Sequence, residues 1–201
     1  MLFSMSKNII REHYARFLGV NSDDFMVFAA DPEAEDQVDI IWIKPTERFN
    51  YNVLATCGLS EIEMADPDQC MELMMLLPPD WDLESTKDKD RWPLELLSQV
   101  AYLPFETGDY NYTLGTVVSL TKDDKPFMKG TKNCGAIITL PEHFPPEMFQ
   151  VEVEEDYYVR FFQCVPISKD DIERIGESNP LKFIEFNLHN ADGPDFVVKN
   201  N

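Results

Sequence analysis

A short apolar run after Cys70 places the strongest limit on how this chain can fold. Residues 71–77 read MELMMLL, and Pro78 and Pro79 end the run. A run of this length before a double breaker is typical of a β-strand that is buried on at least one face. The sequence therefore predicts a core strand here, against which the other elements must pack.

A core helix is predicted after this strand, beginning at Pro93. Proline suits a first helical position because its φ is already helical and its missing N–H needs no partner there. Pro104 disfavours helical geometry at the residue before it, so the predicted helix ends there. Between strand and helix, the charged residues 82–90 predict an exposed loop. The predicted inward face of the helix consists of Leu94, Leu96, Leu97, Val100, Ala101 and Leu103.

The remaining apolar patterns predict seven more strands and three more helices. The strands are predicted at residues 25–30, 38–43, 51–56, 116–120, 135–140, 149–153 and 157–167, and the helices at 6–18, 168–176 and 179–188. Strand 157–167 is apolar on both faces and should be central in the sheet. Because strands cluster in hairpin-like pairs, we predict an α+β fold: a mostly antiparallel or mixed sheet with three to four helices packed on it.

The length and composition favour one folded domain. The chain has 201 residues, of which 44% are hydrophobic, and no Gly-, Ser- or Pro-rich stretch divides it. We expect a single domain over residues 1–201, with a core from about 5 to about 189 and a loosely held tail at 190–201. The lack of a signal-peptide pattern and of a long apolar run favours a cytoplasmic protein. The cysteines, which we expect to be reduced and buried, are Cys57, Cys70, Cys134 and Cys164.

The charge of the chain is strongly acidic. There are 37 Asp and Glu residues against 17 Lys and Arg, which gives a formal net charge of −20. A field of this sign repels phosphate backbones and anionic lipid, so direct binding to nucleic acid or to a membrane is disfavoured. A partner protein with a basic surface would be complementary, although solubility alone is an alternative explanation.

No pattern predicts catalysis, a metal or a cofactor. The three histidines, His13, His143 and His189, lack metal-ligand spacing, and we expect each at the surface or at a helix end. Phosphate loops, dinucleotide-binding glycine patterns and nucleophile elbows do not occur. The acidic clusters at 31–36 and 152–156 are interpreted as solvated turns, since weak cation binding has no loop pattern to support it.

Tryptophans and acids around the exposed loop are the better candidates for function. Two large rings beside acids have the composition of an interaction surface. Alternatively, both rings pack on the core beside the helix start. With the acidic turn before residue 38, the candidate partner-binding residues are Asp80, Trp81, Asp82, Trp92, Glu33, Glu35 and Asp36.

Several blocks of sequence, taken in order, resemble the suppressor of fused family in its small bacterial single-domain form. They read ELMMLLPPDW, WPLELLSQVAYLPFETG, LGTVVSL, KPFMKGTKNCGAIITLP and YYVRFFQCVPISKDDIERI, and the similarity covers roughly residues 38–185. Many members carry a histidine ahead of the strand that here reads Leu114 to Val118, and this sequence has none there. Any role of that histidine therefore does not transfer to this chain.

The resemblance implies an α+β fold and a function in protein binding. The animal member of the family sequesters a transcription factor, and bacterial members associated with toxin systems include immunity proteins. We therefore expect a non-enzymatic module without cofactors that sequesters or neutralises a partner protein, such as a toxin or a regulator. The alternative is a small enzyme or ligand-binding domain whose site is assembled from distant residues.

Overall fold

Eight β-strands form one sheet in the computed structural model, which describes residues 3–28, 38–61, 70–107 and 112–188. The strands are β1 Met26–Phe28, β2 Asp39–Ile43, β3 Asn52–Cys57, β4 Met71–Leu77, β5 Val117–Ser119, β6 Asn133–Thr139, β7 Gln150–Glu154 and β8 Tyr157–Ser168. The helices are α1 Phe3–Leu18, α2 Asp88–Thr107, α3 Lys169–Glu177 and α4 Pro180–Phe183, which continues into a π-helical turn at Ile184–Leu188. Short 3-10 turns lie at Ser22–Asp24, Leu59–Glu61 and Pro146–Met148.

The strand order is β1-β2-β3-β4-β8-β6-β5, and β7 pairs with the beginning of β8. Only β4 and β8 run parallel; the other pairs are antiparallel. The predicted α+β fold with a mixed, mostly antiparallel sheet is therefore confirmed. β8 pairs with three strands, β4, β6 and β7, as its continuous apolar character predicts.

The predicted core strand β4 has both faces buried, and its alternating side chains belong to two different cores. On one face Leu73, Met75 and Leu77 pack in one cluster with the α2 residues Leu97, Val100 and Ala101, as predicted. On the other face Met74 and Leu76 pack with α1, which is anchored by Ile10, Tyr14 and Leu18. Since α3 and α4 cover β6 and β8, the sheet lies between helical layers. Burial of each such large apolar side chain contributes about 1.5–3 kcal/mol.

Both predicted ends of α2 are wrong. The helix begins at Asp88, five residues before Pro93, and continues past Pro104 to Thr107. Pro93 has no N–H to donate to the carbonyl of Lys89. Lys89 is an exposed residue in the first turn, so the helix can begin before Pro93. Pro104 leaves the carbonyl of Val100 without its helical donor, and this carbonyl accepts a hydrogen bond from the Tyr112 hydroxyl instead. The loop predicted at residues 82–90 therefore spans only residues 82–87, and most of it is exposed, whereas Leu83 packs in the core.

The two C-terminal helices begin as predicted. Ser168 and Asp171 form a reciprocal capping box at the start of α3, and the Asn179 side chain accepts from the N–H of Lys182 at 2.9 Å at the start of α4. The sequence spacing predicts Leu181 on one apolar face of this helix with Ile184 and Leu188, yet the Leu181 side chain is 55% exposed. The inward side chains of this segment include Phe183 and Ile184, and the tail at 190–201 lies outside the described residues.

Candidate protein-binding surface

Trp81 and Trp92 pack inward, as the alternative interpretation of these rings expects. They are 5% and 3% exposed, and their rings meet edge to face with centroids 5.8 Å apart. The indole N–H of Trp81 donates to the carbonyl of Asp90 at 2.7 Å, which ties the loop at residues 82–87 to the first turn of α2. A partner that docks on this region would therefore meet the neighbouring acids rather than the rings.

Asp80 and Asp82, by contrast, are exposed at the base of this loop. A carboxylate oxygen of Asp82 accepts from the N–H of Ser85 at 3.1 Å, and the Ser85 hydroxyl donates to Asp90 at 2.7 Å. These local bonds order the loop and hold its acids in a defined place. The other candidate acids, Glu33, Glu35 and Asp36, lie outside the described residues, and their role stays a prediction.

A second acidic surface, the β7–β8 hairpin, is formed by exposed Glu152, Glu154, Glu155 and Asp156. Asp156 takes a left-handed conformation with φ of 62° at the turn. The neighbouring Tyr158 is 45% exposed, and the negative charge of Glu152 raises the pKa of its phenol. Exposed aromatic rings among acids are a surface suited to contact with a basic protein.

Glu72 is a fully buried carboxyl group in β4 that the sequence analysis did not single out. One carboxyl oxygen accepts from the N–H groups of Gly58 and Ser60 at 2.9 and 3.1 Å and from the Ser60 hydroxyl at 2.7 Å. The other accepts from the Thr56 hydroxyl at 2.5 Å and more weakly from the N–H of Leu59. In the sequence, the sign of a buried carboxyl group is that Glu72 is the one acid in the otherwise apolar run MELMMLL.

The environment of Glu72 indicates a structural role. Burial raises the pKa of this carboxyl, and the bonds from Thr56, Ser60 and Gly58 oppose that shift only in part. Because the side chain is fully buried, a substrate has no access to it in this structure. The group therefore clamps the end of β3 and the following turn onto β4.

His13 is buried within α1, so the predicted surface or helix-end position is wrong for this residue. Its ring stacks on Phe161 with centroids 4.6 Å apart, and Nε2 lies 3.0 Å from the carbonyl oxygen of Met148. Burial lowers the pKa of His13, which favours a neutral ring that donates to this carbonyl. His143 is half-buried, and His189 lies outside the described residues. Within the described chain, no group of three or more His, Cys, Asp and Glu side chains is arranged to hold a metal ion.

All four cysteines are buried thiols outside any disulfide, as predicted. Burial raises the pKa of the Cys164 thiol to about 12. The pKa of Cys57 is raised as well, first by burial and then by the nearby charge of Glu72. Thiols in this state are poor nucleophiles because the reactive thiolate is scarce.

A groove of about 490 Å³ lies beside α4. Its apolar lining comes from three places. Leu114 lies in a loop, Leu140 directly follows β6, and Leu181, Ile184 and Phe186 lie on α4 and its π-helical turn. Glu142 and Glu185 also line it. Leu114 also lines a separate, smaller cavity of about 220 Å³, whose other lining residues include Met71, at the start of β4, and Arg160. The lining thus combines apolar contact area with negative charge.

Most of this chain matches the sequence model of a known protein family. The family model for suppressor of fused protein matches residues 34–199. The chain belongs to the suppressor of fused family. A search of curated protein sequences gives no match.

Solved structures of suppressor of fused proteins share the fold at low sequence identity. A homologue from Neisseria gonorrhoeae superposes with a TM-score of 0.66 at 16% identity, over 98% of this chain and 94% of that chain. The structure of the Sufu–Fu complex gives a TM-score of 0.66 at 15% identity, over 96% and 88% of the two chains. Drosophila Suppressor of Fused gives 0.64 at 14% identity, where 94% of this chain matches 48% of that chain.

In the described parts of this suppressor of fused family member, no helix is long and apolar enough to cross a membrane.

Proposed function

We propose that this protein is a non-catalytic module that binds a partner protein with a basic surface and thereby sequesters or neutralises it. Membership of the suppressor of fused family supports this proposal, since a related Sufu protein has been solved in complex with Fu. The observation that carries it is the distribution of acids. Exposed acids lie on the ordered loop at Asp80 and Asp82 and on the β7–β8 hairpin, whereas Glu72 and His13 are buried in structural contacts.

The charge distribution also explains how such a partner would be found. A net charge of −20 attracts a cationic protein at long range and raises the rate of association. Once the partner is close, the exposed acids fix its orientation, while the local bonds around Ser85 keep one acidic loop ordered. The binding role therefore requires a surface and no assembled catalytic group.

For a bacterial member, we propose that the partner is a toxin and that this protein acts as its immunity protein. The support is the family resemblance, in which bacterial members associated with toxin systems include immunity proteins. Neutralisation by binding consumes one immunity protein for each toxin molecule. An enzyme that inactivated a toxin would need only trace amounts.

Titrated co-expression with the product of a neighbouring gene tests this function. The candidate toxin is expressed at a fixed level while the level of this protein is varied, and growth is compared with the molar ratio of the two. We expect growth to recover only near equimolar amounts, together with a one-to-one complex in light scattering. Recovery at trace amounts would show turnover and would contradict the proposal.

A further inference from the structure

We propose that the groove beside α4 is the docking site for an amphipathic segment of the partner, with apolar side chains flanked by lysine or arginine. This inference rests on the proposed function and assigns that function to a specific surface. The groove is lined by Leu114, Leu140, Leu181, Ile184, Phe186, Glu142 and Glu185.

Large apolar side chains are exposed around this one groove. Leu114, Leu181 and Phe186 are 42%, 55% and 68% exposed, and all three line the groove. A single exposed leucine is ordinary, but several large apolar side chains that share one concave surface mark an interaction site. Ile184 and Leu140 extend this apolar area, being buried and half-buried respectively.

The groove is held in shape before any partner binds. Gly115 has φ of +87°, and a Cβ built on it would lie 3.2 Å from Leu181 Cδ2, so the loop packs closely against α4. Asn179 caps α4, and Phe183 and Ile184 anchor it in the core with β6 and β8. A preformed site binds more tightly because less conformational entropy is lost on binding.

The charge of the groove selects a basic partner over the other occupants. Glu142 and Glu185 line the groove, and among the described residues that line it there is no lysine or arginine. A second copy of this chain would bring the same acids and a further charge of −20. The C-terminal residues 189–201 carry two aspartates and one lysine, so they are also slightly acidic. A segment with leucine-like and lysine-like side chains complements both properties of the groove.

The test uses the full chain and a fluorescent helical peptide with leucines on one face and lysines on the others. Leu181→Lys and Phe186→Lys should each weaken binding by about tenfold or more, because each removes a large apolar contact and adds like charge. Phe186 is 68% exposed, so Phe186→Lys should leave the melting temperature unchanged and carries the test. Leu181 also packs against the loop at Gly115, so Leu181→Lys should lower the melting temperature slightly. Val27→Lys is the matched control, since Val27 is 45% exposed on the edge strand β1, and it should leave affinity unchanged.

A second set of variants tests the charges. Glu185→Lys should weaken peptide binding at low salt and lose its effect at high salt, whereas Glu47→Lys, in the exposed β2–β3 connection, should change affinity much less. A peptide with glutamates in place of the lysines should not bind. Equal affinity of Phe186→Lys and wild type, or equal losses in Val27→Lys and Phe186→Lys, would overturn the groove assignment.

Two further measurements separate the alternative occupants. A dimer that Phe186→Lys dissociates, seen by sedimentation, would make a second copy the occupant and overturn the proposal. Phe196→Asp, in the C-terminal segment, should leave peptide affinity unchanged; a tenfold gain would identify that segment as the occupant.

If the cognate partner binds one to one and the groove variants keep its affinity, the groove assignment fails while the proposed function stands. If no partner binds and growth recovers at trace amounts, the proposed function fails.

Discussion

The hydroxyl of Tyr112 donates a 2.6 Å hydrogen bond to the carbonyl of Val100, which is the carbonyl that Pro104 leaves without its helical donor. Tyr112 is fully buried, so neither group can turn to solvent instead. The loop after α2 thus completes the hydrogen bonding of the helix, and the helix can continue to Thr107 through a proline.

Tyr112→Phe should lower the free energy of unfolding by about 1–3 kcal/mol, because it leaves the buried carbonyl of Val100 unpaired. Pro104→Ala restores a helical N–H, so the tyrosine substitution should cost less in that background. Chemical denaturation of the two single variants and the double variant measures this coupling. Tyr158→Phe, at an exposed phenol, is the control. Equal costs of Tyr112→Phe in both backgrounds would contradict the compensation.

This relationship shows why the existence of α2 was predictable and its ends were not. The apolar spacing around Leu97 and Val100 reports one face of a helix whatever its length. A helix continues through a proline more readily when the freed carbonyl finds another donor. Here that donor, Tyr112, lies eight residues farther along the chain than Pro104. That contact is tertiary, so no local pattern around Pro104 contains it.

The pH dependence of stability should report Glu72. The pKa of this carboxyl is raised above its ordinary value of 4.5, so the folded state holds a proton that the unfolded state releases as pH rises. Stability should therefore fall as pH rises from about 4.5 through the folded pKa. The glutamine of the Glu72→Gln variant does not titrate. As pH rises through this range, the wild type should therefore lose stability relative to the variant. Denaturation at acidic and neutral pH measures the difference.

Substitution of Glu72 by glutamine and by alanine should have different effects. Glutamine keeps an acceptor oxygen for Gly58 and Ser60, and its amide can donate to the Thr56 hydroxyl, as the protonated acid can. Alanine leaves several buried donors unpaired and should cost about 3 kcal/mol or more. Glu72→Ala with near wild-type stability would contradict the clamp. Glu152→Ala, at an exposed acid, is the control.

Thiol chemistry should distinguish the native from the unfolded protein. All four cysteines are buried, and a pKa of about 12 at Cys164 leaves a thiolate fraction of about 10⁻⁴ at pH 8. A thiol-specific chromogenic reagent should therefore react slowly with the folded protein and label four groups in denaturant. Fast labelling of the native protein would contradict the burial of the thiols.

The packing of α2 on β4 is tested at Leu97, which is fully buried. Leu97→Asp places a carboxylate without a partner among apolar side chains and should cost more than about 3 kcal/mol. We expect loss of the cooperative thermal transition or a large drop in melting temperature. Gln99→Asp, at an exposed position of the same helix, should have a small effect. An unchanged melting temperature for Leu97→Asp would contradict the core assignment.

The candidate surface was less predictable than the fold because binding sites depend on which side chains end up exposed. Trp81 and Trp92 have the composition of an interaction surface, yet both rings are buried. Leu181 fits the inward stripe of a helix by its spacing, yet it is exposed, and Phe186 beside the groove is exposed too. Sequence spacing places such residues on a helix face, but which face turns inward is decided by tertiary packing.

Charge reversal should slow association with the partner and leave stability nearly unchanged. Asp80→Lys and Asp82→Lys each change the local charge by two units on an exposed surface, where stability effects are small. Electrostatic steering acts over about a Debye length, ~8 Å at physiological ionic strength, so the loss of association rate should shrink as salt rises. Stopped-flow association at several salt concentrations measures this effect, and Glu33→Lys, Glu35→Lys and Asp36→Lys extend it to the acidic cluster at residues 31–36. Asp82→Asn separates the charge of Asp82 from its bond to Ser85, because asparagine keeps an acceptor for that N–H.

An association rate that is insensitive both to salt and to these reversals would contradict electrostatic steering, while the one-to-one complex would still support the binding role.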